Sequence, residues 1–109
     1  MSVFKTVAVI GAGQMGSGIA QTIAASGYEV RLFDTAEART ALSLGEIGAS
    51  LARRAGRGLL TSDEGQEALG RISVCHTLAQ AVQDADFVIE AVTEDEAVKK
   101  QVWADILHG

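Results

Sequence analysis

A chain of 109 residues has room for one small domain and one core; 48% of it is hydrophobic but only 5% aromatic, so that core is built from Ala, Val, Ile and Leu. A net charge of −5 argues against non-specific binding to nucleic acid or to an anionic membrane surface, both of which need a basic face. The single cysteine, Cys75, excludes an intrachain disulfide and fits a reducing, cytoplasmic setting, and no apolar run is long enough to span a bilayer.

The N-terminus reads as a short lead into a strand rather than a signal peptide. Thr6 to Ile10 is that strand, apolar at Val7, Val9 and Ile10, and it runs into a glycine turn with Gly11, Gly13 and Gly16 in the G-x-G-x-x-G pattern. Each glycine has a separate physical task in a dinucleotide site. Gly11 allows the tight turn, Gly13 leaves the backbone bare for a pyrophosphate, and Gly16 lets a helix pack closely on the sheet. That helix opens at about Gln14, carries Met15, Ile19 and Ile23 four residues apart, and ends near Ser26 with Gly27 as a left-handed cap. Its free N–H groups and positive dipole end suit phosphates.

A second strand, Glu29 to Phe33, ends at Asp34, about 20 residues beyond the turn, where a ribose-binding acid belongs. A carboxylate there favours NAD over NADP; Arg39 is the alternative that would admit a 2′-phosphate. Asp34 or Thr35 is also expected to cap a second helix, with Glu37 in its first turn, running to about Ala55 on an apolar face of Leu42, Leu44, Ile47 and Leu51. Gly45 and Gly48 within it mark either a close helix contact or a kink. Gly56 to Gly58 is a break. Thr61 and Glu64 form a capping-box pattern that opens a short helix to about Leu69, ended by Gly70.

Strand three is expected over Ile72 to His76. Thr77 and Gln80 repeat the capping-box pattern before a helix to Gln83, and strand four covers Asp86 to Val92. A last helix runs from Glu94 or Asp95 to Leu107, with Val98, Val102, Trp103 and Ile106 on its apolar face. This order means an α/β, Rossmann-type doubly wound parallel sheet in the order 3-2-1-4, with a helical hairpin between strands 2 and 3. Ligand then sits over the C-terminal ends of strands one and four, where the Gly11 turn faces Ala91 to Glu94. No His/Cys/Asp spacing suits a metal, and Ser17 lies inside the phosphate-binding helix rather than in a nucleophilic triad.

With the segments placed, the chain resembles the N-terminal NAD-binding half of 3-hydroxyacyl-CoA dehydrogenases, including 3-hydroxybutyryl-CoA dehydrogenases. The likeness rests on Val9 to Gln21, Gly27 to Val30, Phe33-Asp34, Asp84 to Val92, Glu94-Asp95 and Lys99-Lys100, which together extend over nearly the whole chain. It implies an NAD-dependent oxidoreductase of fatty acid metabolism that moves hydride between NAD and the 3-hydroxyl of an acyl-CoA. It further implies that Gly11, Ala12, Gly13, Gln14, Met15 and Gly16 line the pyrophosphate and that Asp34 holds the adenosine ribose. Ala91 and Val92 would pass along the cofactor, Glu94 and Lys99 would lie near the nicotinamide ribose, and Ser50 and Arg57 would lie near the phosphates of CoA, with Arg53 and Arg54 nearby. From the residues alone, Arg53, Arg54 and Arg57 read most simply as a solvated basic face, and Lys99 and Lys100 as helix-surface lysines.

Thr93 stands where many relatives have proline. The family's catalytic histidine and glutamate fall beyond Gly109, and neither His76 nor His108 matches them, so no catalytic residue is assigned and the chain alone, a single truncated domain, is expected to be inactive. An open strand edge predicts homo-oligomers. Two other readings stay open: a different β-hydroxyacid dehydrogenase, against which the long insertion between strands two and three argues, and a non-catalytic NAD(H)-binding module.

Overall fold

A computed structural model of the chain describes residues 5–91. Val92, Glu94, Lys99, Trp103, His108 and the expected last helix lie outside the described residues. The order of elements is β1 (Thr6–Ile10), α1 (Gln14–Ala25), β2 (Glu29–Phe33), α2 (Glu37–Gly56), α3 (Ser62–Gly70), β3 (Ile72–Val74), α4 (Leu78–Val82) and β4 (Phe87–Glu90). The strands form one parallel sheet in the order β3-β2-β1-β4. In register, Ile10 stands beside Phe33 on one side and Glu90 on the other, so the carboxyl ends of β1, β2 and β4 finish level with one another.

β1 shows why a continuous apolar run is needed. Val7 and Val9 face a core completed by Val30, Leu32 and Ile72 of the sheet and by Ala20, Ala24, Ile47, Leu51 and Ala68 of α1, α2 and α3. Ala8 and Ile10 face the other side, against Ala81, Leu78 and Val82 of α4. Both faces of the strand are therefore dry, as in parallel sheets wound with helices on each side.

The helix ends follow local chemistry. Gly27 has φ 101°, and the N–H groups of Gly27 and Tyr28 return to the carbonyls of Ala24 and Ile23, a Schellman stop for α1. Thr61 Oγ1 accepts from Glu64 N at 3.0 Å while Glu64 Oε1 accepts from Thr61 N at 2.8 Å, closing the predicted capping box. Thr77 caps α4 in the same way through Gln80 N, but Gln80 Oε1 accepts from His76 N, one residue earlier than a capping box requires.

Several expectations are corrected. The N-cap of α2 is Ala36, with no side-chain capping bond, instead of Asp34 or Thr35; the Asp34 carboxylate accepts from Ala12 N and from Ala36 N and reaches no N–H inside the helix. Strand three stops at Val74; Cys75 N still bonds Leu32 O at 2.9 Å, but His76 has left the sheet. Strand four is Phe87–Glu90, extended by single bonds from Asp86 N to Thr6 O and from Ala91 N to Ile10 O. α2 is continuous through Gly45 and Gly48: Gly48 packs toward Leu69 of α3, and Gly45 faces open space.

The buried faces of α1 and α2 also differ from the hydrophobic spacing. On α1 the buried line is Gly16, Ser17, Ala20 and Ala24, with Met15 63% exposed. The helix lies so close to the sheet that small residues fill the contact, and Ile19 and Ile23 pack on its flanks. On α2 the buried line is Thr40, Ser43, Ile47 and Leu51, and Leu42 points to solvent. Thr40 Oγ1 donates to Glu37 O, and Ser43 Oγ shares a 2.6 Å hydrogen bond with Ser17 Oγ, so neither hydroxyl is buried unpaired.

Candidate functional site: a phosphate turn at the end of the sheet

The turn between β1 and α1 takes its shape from two contacts that only glycine permits. Gly11 has φ 113°, a conformation in which a β-carbon is strained, and its N–H donates to Phe33 O at 2.7 Å. At Gly16 the constraint is space: a β-carbon there would stand 1.8 Å from the carbonyl oxygen of Gly11. The first turn of α1 thus rests directly on the backbone leaving β1. Gly16 also brings Ala91 in; that residue is buried, its Cβ 3.6 Å from the same point and its N–H bonded to Ile10 O at 2.7 Å. Ala91 and the glycine turn therefore do face each other across the ends of β1 and β4.

The start of α1 is left open for an anion. Its N-cap, Gly13, supplies no side-chain hydrogen bond, and no acid sits in the first turn. The N–H groups of Gln14, Met15 and Gly16 have no partner within the helix, and no acid of its own first turn offsets the positive end of its dipole. Gln14 and Met15 are exposed at the mouth of the turn.

Asp34 ties the two halves of the site together. Its Oδ2 accepts from Ala12 N at 2.8 Å, and its Oδ1 accepts from Ala36 N at 2.8 Å. One carboxylate thus fixes the phosphate turn and the start of the next loop. Each oxygen keeps further acceptor capacity for hydroxyl donors such as a ribose diol. The cradle fits a dinucleotide on these grounds: a bare turn held open by backbone contact, free helix donors, and an acid at the end of the neighbouring strand.

Ser50 is half-buried and lines a cleft of about 370 Å³ between α1 and α2, with Gln14, Gln21, Glu46 and Arg53 on the same walls. Arg57 is not on those walls; it is exposed at the C-cap of α2. The structure therefore joins Ser50 to the mouth of the phosphate turn through Gln14 and leaves Arg57 apart. Arg54 is exposed on the same last turn. Val92, Glu94 and Lys99 lie outside the described residues.

Two features of the site were not in the sequence reading. The Ser17–Ser43 hydrogen bond clamps α1 to α2 just behind the turn, and a serine at the heptad-like core position of each helix was its only sequence signal. The side chain of Arg39 reaches Gly13, which no spacing rule foretells. On the far edge, the His76 ring and Glu37 Oε1 are 2.8 Å apart, both well exposed. Burial pushes the Cys75 thiol above its ordinary pKa, and Arg31 partly opposes that. Among the described residues no three His, Cys, Asp or Glu side chains are grouped to hold a metal, and no helix is long and apolar enough to cross a membrane.

Comparison with known proteins settles the lineage. The family profile of the 3-hydroxyacyl-CoA dehydrogenase NAD binding domain matches residues 6–108. The chain belongs to the 3-hydroxyacyl-CoA dehydrogenase family. Within it, the chain supplies the NAD-binding domain. It is 44% identical over 102 residues to a 3-hydroxybutyryl-CoA dehydrogenase of Mycobacterium tuberculosis, covering 94% of this chain and 35% of that protein. A probable 3-hydroxybutyryl-CoA dehydrogenase of Bacillus subtilis is 42% identical over 99 residues, 91% of this chain and 34% of its own length. The crystal structure of (S)-3-hydroxybutyryl-CoA dehydrogenase from Ralstonia eutropha superposes with a TM-score of 0.89 at 33% identity, covering 95% of this chain and 36% of that one. The chain thus spans about a third of the length of these curated relatives.

Proposed function

We propose that this chain is the cofactor cradle of an enzyme that moves hydride between NAD and the 3-hydroxyl carbon of a 3-hydroxyacyl-CoA. The observation that carries the reading is the contact of Gly16 with the Gly11 carbonyl, which leaves a bare turn and free N–H groups beside Asp34. In this reading Gly11, Ala12, Gly13, Gln14, Met15 and Gly16 hold the pyrophosphate through backbone donors and close approach. Asp34 accepts from the adenosine ribose while its bonds to Ala12 and Ala36 keep it oriented. Ala91, with Val92, walls the cofactor on the β4 side, and Glu94 and Lys99 serve the nicotinamide ribose.

NAD supplies the hydride acceptor at its nicotinamide ring. The protein positions it and keeps the turn rigid through the Ser17–Ser43 bond behind it. Oxidation of an alcohol also needs a group to take the hydroxyl proton; no residue described here is assigned that part. The acyl-CoA class is supported by the names of the relatives, and the cleft between α1 and α2 that Ser50 and Gln14 both line is consistent with it. Arg57 would then meet CoA at the outer end of α2. A cytoplasmic location and self-association through the outer edge of β4, unpaired among the described residues, belong to the same proposal.

The test is a titration of the isotope-labelled chain followed by amide NMR. NADH should shift the signals of Gly11 to Gly16 and Asp34, and CoA those around Ser50 and Arg57. NADH shifts with an unmoved α2 would remove the CoA assignment and leave the cradle; no shifts at Gly11 to Gly16 would remove the cradle itself.

A further inference from the structure

Arg39 is the third residue of α2, and its side chain folds back over the neighbouring turn. A β-carbon built on Gly13 would lie 3.6 Å from its Nη1, and among the described residues, the chain neighbours of Gly13 aside, no other side chain reaches that point within 4 Å. Among the described residues, the neighbour across the bare face of the turn is a guanidinium. Among the described residues the ion pairs are Arg71–Glu67 and His76–Glu37, and Arg39 enters neither. Its own backbone N–H bonds Ala36 O, which anchors the helix start without engaging the charge.

The nearby acid is oriented by the backbone and does not pair with this charge. Asp34 spends one oxygen on Ala12 N and the other on Ala36 N, and it forms no ion pair with Arg39. The edge of the sheet thus carries a fixed carboxylate and a cation that, among the described residues, enters no ion pair, at the same turn, in a chain of net charge −5. A carboxylate alone rejects a 2′-phosphate by repulsion. A guanidinium is the side chain best shaped to take a phosphate, through a planar fork of parallel N–H donors.

Resting on the dinucleotide reading of the cradle, the geometry points to Arg39 as a specificity-determining residue: its guanidinium takes a phosphate of the adenosine end, so a 2′-phosphorylated nicotinamide dinucleotide is admitted beside NADH in spite of Asp34. Arg39 acts on the cofactor directly and has no part in holding the fold, since it is exposed and unpaired among the described residues.

The experiment titrates NADH and NADPH, read by the same nicotinamide fluorescence, into the 109-residue chain and its Arg39→Gln and Arg39→Lys variants. The unsubstituted chain should bind both. Arg39→Gln should weaken NADPH about tenfold, the scale of a lost charge-assisted hydrogen bond, and NADH by less than about threefold. Arg39→Lys, which keeps the charge without the fork, should recover part of the NADPH affinity. Added salt should weaken NADPH more in the unsubstituted chain than in Arg39→Gln. Thermal melts without cofactor should coincide for all three. Equal weakening of both cofactors, an unchanged ratio, or no NADPH binding to the unsubstituted chain overturns the assignment while saturable NADH binding keeps the cradle standing. Absence of NADH binding to the unsubstituted chain overturns the cradle and this inference together.

Discussion

Replacing Gly16 by alanine adds one methyl group at the point where α1 touches the backbone leaving β1. The new carbon would fall 1.8 Å from Gly11 O and 2.8 Å from Gly11 C, where contacts under 3.0 Å do not occur. No rotamer relieves this, because both partners are main chain. The turn and the helix must therefore separate by more than an ångström, through a residue already held at φ 113° and bonded to Phe33 O. Overpacking of this kind costs about 1–3 kcal/mol, and the rigid contact puts Gly16→Ala at the upper end. Alanine's better helix propensity returns up to about 1 kcal/mol. The expected net loss is about 2 kcal/mol, which for a domain of this size lowers the melting temperature by roughly 10 °C. Gly18→Ala is the control, since nothing lies within 4 Å of a β-carbon there; it should be neutral or stabilise by up to about 1 kcal/mol. Urea unfolding and thermal melts of the three proteins decide the matter. If Gly16→Ala melts with Gly18→Ala, the close approach of helix and turn is not what shapes the cradle.

Asp34→Ala should weaken NADH several-fold and narrow its advantage over NADPH, and because it strands the N–H groups of Ala12 and Ala36 it should also cost about 1 kcal/mol in urea unfolding; unchanged affinities for both cofactors would refute the ribose role. Thr61→Ala removes the side-chain acceptor for Glu64 N, leaving only the bond from the residue 61 N–H to Glu64 Oε1, and should cost about 1 kcal/mol by the same assay, with no effect on cofactor binding. Since burial raises the Cys75 pKa, less thiolate is present at any pH below that value, and alkylation should run slower than for a free cysteine and speed up with increasing pH; a rate equal to that of free cysteine at pH 8 would contradict the burial.

Much of this fold was legible because its signals are local. The glycine pattern, the stop at Gly27 and the capping box at Thr61 each depend on a few adjacent residues, and the parallel order follows from strands alternating with helices. The misreadings share one cause, contacts made across the chain. The spacing of Met15, Ile19 and Ile23 marks the helix, and Ile19 and Ile23 do pack on the core, but Met15 is exposed and Gly16 draws α1 so close to the sheet that Ala20 and Ala24 take the central contact. The sequence places Ser17 only inside the phosphate-binding helix, and its hydroxyl bond to Ser43 appears only in the folded chain. Asp34 looks like a helix cap, yet Ala12 N, 22 residues earlier, claims one of its oxygens. For the candidate site, Gly11, Gly13, Gly16 and Asp34 follow from type and spacing, and Ala12, Gln14 and Met15 came with the family resemblance. Ser50 and Arg57 came only with the family resemblance, and the fold separates them: one lines the cleft near Gln14, the other caps the helix. Arg39 could be named as a charge near Asp34, but its reach to Gly13 belongs to the folded chain.

The measurement that bears most directly on the central claim is a fluorescence titration of NADH into this chain alongside Asp34→Ala. Saturable binding to the unsubstituted protein, weakened several-fold in the variant, is the result expected of a dinucleotide cradle fixed by that carboxylate. A flat titration of the unsubstituted chain, or equal affinity for the two proteins, would contradict it.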